Sequence, residues 1–310
     1  MRLVLANLLA EDDLARLARV GRPRSPSRET VERVAGLADQ LRVFARDGDR
    51  LWVPGSGRPE PADEVLAWCE TPEAVALRKR PRQVSDGDGP LHEILWHLPA
   101  APPEVVAAVN HRGFHLRVAR ELGCALPGAR MVERLADLGA PGPWVVKAPY
   151  SASGRSRYIH REEGRLADPK AVRTVERLFH LHGPLLFEPW MERTADFGAC
   201  ALLTPAGLRV LGFHRQTVDV KGQFSGIELM DETPPGMAET VEGVGRALER
   251  AGYAGPFGID AWEYRTADGR LAFNPLGEIN ARMTFGLVAR ARAERSGSSP
   301  AAGSGSAAPA

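Results

Sequence analysis

Glu278, Asn280 and Arg282 alternate in the stretch Glu278-Ile-Asn-Ala-Arg282. A β-strand sends every second side chain to one face, so all three point the same way if this stretch is a strand. A carboxylate, a neutral oxygen donor and a guanidinium side by side form a surface for a metal ion and a phosphate. Asp260 lies earlier, in a second strand-like run, Phe257-Gly-Ile-Asp-Ala-Trp-Glu-Tyr264, and Asp268-Gly269 between the runs is a strong hairpin signal. That hairpin brings Asp260 beside Glu278 and Asn280, three oxygen ligands of the kind Mg²⁺ takes. Glu263, an odd number of positions from Asp260, is expected on the opposite face. Lys147 sits in the apolar run Pro143-Trp-Val-Val-Lys-Ala-Pro149, and it is one of only four lysines among forty basic residues. Those residues together are suited to a metal-bound nucleotide.

The elements that must position them are legible in outline. Residues 1 to about 105 predict a small α/β unit: a first strand, a helix over Glu29 to Ala45 from the spacing of Val31, Val34, Leu37, Leu41 and Phe44, and a short strand at Leu51-Trp-Val53. The segment Pro99-Ala-Ala-Pro-Pro103 marks a boundary. A helical stretch from about 104 to Gly123 precedes the Lys147 strand. Ser151 to Arg157 is a small-residue loop with two arginines. Then come a helix through Val172 to Phe179, a strand at Leu185-Leu-Phe-Glu-Pro-Trp190, two strands at Phe197 to Leu203 and Leu208 to Phe213, and a helix through Val241 to Ala251. The end of the chain is expected to be a disordered tail, 293–310, because from Ser296 on Gly, Ser, Ala and Pro bury no core.

Forty basic against thirty-nine acidic residues argue for neither nucleic acid nor an anionic membrane as partner. Cys69, Cys124 and Cys200 form no Cys-x-x-Cys pair, which fits a reducing cytoplasm rather than a disulfide framework or zinc site. The apolar start is interrupted by Asn7 and followed by Glu11-Asp12-Asp13, so it is read as a strand and not a signal peptide. No run approaches the roughly 18 to 20 apolar residues that cross a bilayer. No P-loop occurs, and no Gly-x-Gly-x-x-Gly follows the first strand. His92 and His97 lie about 140° apart on a helix, so they make no zinc-protease pair. His180 and His182 are explained by helix-end electrostatics.

Over roughly residues 110 to 290, the order of these parts resembles the ATP-grasp superfamily. The resemblance implies an α+β fold in which two α+β subdomains, about 106–190 and 191–292, clasp ATP behind a small α/β N-terminal domain, 1–105. It implies that Lys147 contacts the nucleotide phosphates, with Arg112 as the best match for a second cation ahead of it. The loop containing Ser153, Gly154 and Arg155 would close over them; it has one glycine where many relatives have two or three, so Arg155 or Arg157 would supply donors instead. Glu188 matches the hinge position that receives the adenine amine, with Trp190 beside it, and Asp196 matches an acid on the ribose. Asp260, Glu278 and Asn280 match ligands of Mg²⁺, or alternatively Mn²⁺. Arg282 matches an arginine facing phosphate or substrate, and Arg215 one that stabilises acyl transfer. The implied activity is an ADP-forming carboxylate–amine ligase working through an acyl phosphate, on small molecules such as amino acids or peptides. The alternatives are a kinase on the same fold and a non-catalytic ATP-binding module.

Overall fold

A computed structural model of the chain describes residues 1–20, 27–86, 88–151, 156–218, 224–266 and 268–297. The chain opens with β1 (Arg2–Leu5), α1 (Ala10–Leu17) and α2 (Arg28–Ala38), then returns through β2 (Arg50–Trp52) and β3 (Glu64–Ala67). The three strands pair in parallel in the order β2-β1-β3, as an α/β unit should. The Ser27 hydroxyl caps α2 by accepting from the Thr30 amide. That helix stops at Ala38, short of the expected Ala45. Asp39–Phe44 tightens into a 3₁₀ turn that buries Leu41 and Phe44. Three residues per turn put those two side chains on one face, so a second element absorbs the end of the helical pattern.

Short helices α3 (Pro72–Ala76) and α4 (Leu91–Ile94) lead to α5 (Pro103–Asn110) and α6 (Arg112–Glu121). The single helical stretch expected here is two helices. His111 has extended backbone, and its Nδ1 accepts from the Gly113 amide to start α6. That break places Arg112 in the first turn of the new helix.

The next unit runs β4 (Arg130–Val132), β5 (Trp144–Lys147), β6 (Arg157–His160), α7 (Pro169–His182) and β7 (Leu185–Pro189). Its antiparallel sheet, ordered β4-β7-β5-β6, closes over α7 around Trp144, Val146, Val175, Leu185 and Phe187. Asp168 caps α7 by accepting from the Lys170 and Ala171 amides, and Pro169 takes the first helical position.

The last unit comprises β8 (Glu192–Thr204), β9 (Gly207–Val218), β10 (Phe224–Met230), α8 (Met237–Arg250), β11 (Gly255–Arg265), β12 (Leu271–Asn280) and α9 (Phe285–Ser296). Its five strands form an antiparallel sheet, β10-β9-β8-β11-β12. Helix α9 buries Leu287, Val288 and Ala291, and so takes residues 293–296 out of the stretch expected to be disordered. Residues 298–310 lie outside those described. The first and last units share one apolar core, from Val4, Leu14 and Leu41 to Leu202, Val244 and Leu287. Among the described residues no helix is long and apolar enough to cross a membrane.

Candidate functional site

The hairpin of β11 and β12 sets Asp260 directly opposite Glu278. The same rung continues across the sheet, because Gly198 on β8 faces Asp260 and His214 on β9 faces Gly198. Residues on one rung share a face, so His214, Asp260 and Glu278 look into the same space. Asn280 Nδ2 donates to Asp260 Oδ2 at 3.1 Å, and Gln216 Nε2 donates to Oδ1 at 2.8 Å. Arg282 donates to Asn280 Oδ1 at 3.0 Å and to Glu11 of α1 at 3.1 Å. Asn280 is thereby placed with its amide nitrogen towards Asp260, an orientation that a flip of the amide exchanges.

Burial, then the neighbouring Glu278, push the Asp260 pKa up to about 6, against the hydrogen bonds from Gln216 and Asn280. An acid held out of water beside another acid is a place where a cation lowers the energy, and an all-oxygen donor set suits Mg²⁺ or Mn²⁺. Two carboxylates and an amide are a lean set. Among the described residues, no group of three or more His, Cys, Asp or Glu could hold a metal ion.

The cations stand opposite. Arg112 donates to Glu278 at 2.8 Å and to the Ser151 hydroxyl at 2.7 Å, while also bonding the Ala148 and Ser151 carbonyls. Lys147 donates to Glu188 Oε2 at 2.5 Å. Burial works to raise the Glu188 pKa, but Lys147, His115 and Arg112 outweigh it and hold the carboxyl below its ordinary range. Glu188, expected to meet an adenine amine, therefore has its charge taken by Lys147. Trp190 lies beside Arg157 and Arg161, each 5.9 Å from its ring.

A cavity of about 480 Å³ gathers Arg112, Lys147, Asp196, Asp260, Glu278, Asn280 and Arg282, but neither Glu188 nor Trp190 lines it. Asp196 accepts from Arg193 at 2.9 Å, and Arg193 stacks on Trp262 at 3.7 Å. Arg215 does not reach the cavity. It is exposed, with its guanidinium 5.8 Å from the Phe197 ring. Strand β9 runs to Val218, beyond the expected Phe213, and alternation along it gives the cavity His214 and Gln216 instead. A strand read through to Val218 was the signal that locates both. Ser153, Gly154 and Arg155 lie outside the described residues. His115 of α6 was not anticipated. It is buried behind the site, its Nδ1 has no partner among the described residues, and burial lowers its pKa despite the pull of Glu188 and Glu278.

No family model matches the sequence, and no curated protein does either. Solved structures do match. D-alanyl-alanine synthetase A from Vibrio cholerae superposes with a TM-score of 0.52 at 12% identity, over 90% of this chain and 87% of that one. N5-carboxyaminoimidazole synthetase from Staphylococcus aureus, complexed with ADP, gives 0.50 at 9% identity over 91% and 70%. Pyruvate carboxylase from Rhizobium etli gives 0.51 at 16% identity, over 93% of this chain but 27% of that one. At such identities the likeness is one of architecture, and it agrees with the order of elements found here: the chain has the ATP-grasp fold.

Proposed function

We propose that the protein is an ATP-dependent, ADP-forming ligase that joins a carboxylate to an amine through an acyl phosphate. The observation that carries this is one cavity in which the Asp260–Glu278 pair faces Arg112 and Lys147, with further space beyond them. A carboxylate oxygen is a weak nucleophile, and it attacks the γ-phosphorus only if the triphosphate's charge is screened and the reactants are held in line. Asp260, Glu278 and Asn280 would hold Mg²⁺ or Mn²⁺, which when bound screens the phosphate oxygens. Arg112 and Lys147 are now balanced by Glu278 and Glu188. Phosphate oxygens replace those carboxylates as partners when ATP enters. Asp196 is the acid available to the ribose. Water must be kept from the acyl phosphate, which it would otherwise hydrolyse. An amine then displaces phosphate, and Arg282, already on the cavity wall, stabilises the oxyanion.

The fold is shared by a synthetase that holds ADP, which supports nucleotide use. The test is ADP release over paired carboxylates and amines, and over each acid alone, with the products identified by mass. ADP, phosphate and an amide are expected. ADP with a phosphorylated acceptor would make the protein a kinase, and no ADP from any mixture would make it a binding module.

A further inference from the structure

The cavity lining also has an apolar part, a lobe contributed by elements other than those that carry the acids and cations: Val34, Gly36 and Leu37 of α2, Trp68 after β3 and Phe285 at the start of α9. Trp68 and Phe285 pack ring on ring at 4.9 Å, and the Arg282 guanidinium lies 5.5 Å from the Trp68 ring. Arg33, the charged member of the α2 wall, is exposed and has an interaction of its own. A triphosphate and a metal ion gain nothing from an apolar wall, and Glu188 and Trp190, where the adenine is expected, do not line this cavity, so this lobe serves the other reactant.

His214 lines the same cavity. A Cβ on Gly198 would come within 2.4 Å of its Nε2, and one on Gly286 within 2.3 Å of its Cε1. Neither glycine has a left-handed backbone, so what each provides is room for the ring. The imidazole lies over Gly198, between its own strand and that of Asp260. Only 4% of the residue is exposed, yet Nδ1 has no hydrogen-bond partner among the described residues. A buried imidazole whose Nδ1 lacks a partner, slotted into a cavity wall by two glycines, is the feature most in need of a ligand.

We infer that this lobe selects a carboxylic acid with a bulky apolar side chain, of which apolar amino acids are the nearest examples. The side chain packs on Val34, Leu37 and the Trp68–Phe285 pair, and the polar end meets Arg282 and His214. The inference rests on the ligase reading for the reaction it feeds, but the binding itself needs no turnover.

The test is calorimetric titration of the full chain, loaded with Mg·ADP, with L-phenylalanine, L-leucine, L-alanine, L-glutamate and L-lysine, alongside ADP release from Mg·ATP with each. Phenylalanine and leucine should outperform alanine at least about tenfold, since a single methylene in a fitted pocket is worth about 10-fold or more. Glutamate and lysine should not bind. Gly36→Phe fills the lobe at a helical position where a Cβ meets nothing within 4 Å. Its melting temperature should hold while phenylalanine and leucine lose about tenfold or more, and alanine loses less. His214→Gln should raise the KM for every amino acid while the KM for ATP holds. A preference for glutamate or lysine, equal binding of all five, no binding of any, or an unchanged preference in Gly36→Phe overturns the inference, whatever ADP release shows. Phenylalanine binding with no ADP from any mixture leaves it standing and removes the ligase reading instead.

Discussion

Asp260 carries two consequences that belong to a single side chain. Its pKa of about 6 lies above the ordinary 3.8, so the native state binds its proton more tightly than the unfolded chain does. The charge therefore costs native stability above pH 6, and the cost disappears as pH falls towards 4. About two pKa units correspond to about 3 kcal/mol. Urea melts in EDTA between pH 4.5 and 7.5 should show stability rising as the solution is acidified, less steeply in Asp260→Asn; parallel curves for the two proteins would refute the account. The second consequence is catalytic. Glu278→Gln and Asp260→Asn should each lower ADP release on the order of 10²–10³-fold at ordinary Mg²⁺, the usual effect of deleting one preorganised charge. Glu263 is hydrogen-bonded to Thr194 and does not line the cavity, so Glu263→Gln should be nearly silent. A dead Glu263→Gln beside an active Glu278→Gln would mean that the site is wrongly placed.

At the scale of elements, the hairpin of β11 and β12 carries the acids, and a large indole is seated on a glycine within it. The pairing shifts between Asp260 and Trp262, and the Trp262 indole lies directly on Gly277. A Cβ there would sit 1.7 Å from the ring. Gly277→Ala should cost about 1–3 kcal/mol or more, the usual range for overpacking a filled core, and urea unfolding measures it; an unchanged midpoint would show that the indole moves freely. This hairpin was legible in the sequence because both strands alternate and Asp268-Gly269 marks the turn. The end of α2 and the break at His111 were not. Helical spacing persists through a 3₁₀ turn or across one extended residue, so periodicity alone does not locate the stop. Helix α9 was hidden by an Ala- and Arg-rich composition, which shows little contrast between faces until Leu287 and Val288 are seen buried.

At the scale of the molecule, the N-terminal unit has only a small core of its own, around Leu3, Leu5, Val65 and Leu77, and shares the rest. Val4, Leu14, Leu41 and Leu95 belong to the same cluster as Leu202, Val244 and Leu287. Glu11 reaches Arg282, and the Met283 amide donates to the Trp68 carbonyl at 2.9 Å. A fragment of residues 1–105 should therefore lack a cooperative thermal transition by circular dichroism, because cutting there exposes one side of a shared core. A sharp melt from that fragment would show that the first unit is a free-standing domain. The middle unit has a separate core around Trp144 and Phe187.

What the sequence determined by itself is local: which residues share a face of one strand or helix, and where a turn is easy. That was enough to bring Asp260, Glu278 and Asn280 together and to set Lys147 in a strand. Tertiary structure alone decided which face of each element looks into the cavity. Pairing of β9 with β8 gave the cavity His214 and Gln216 and turned Arg215 away. Packing of distant segments joined Arg112 to Glu278 and built the apolar lobe from α2, Trp68 and Phe285. Periodicity has no knowledge of what lies opposite a face, and burial, which chooses the face, is a property of the partner packed against it.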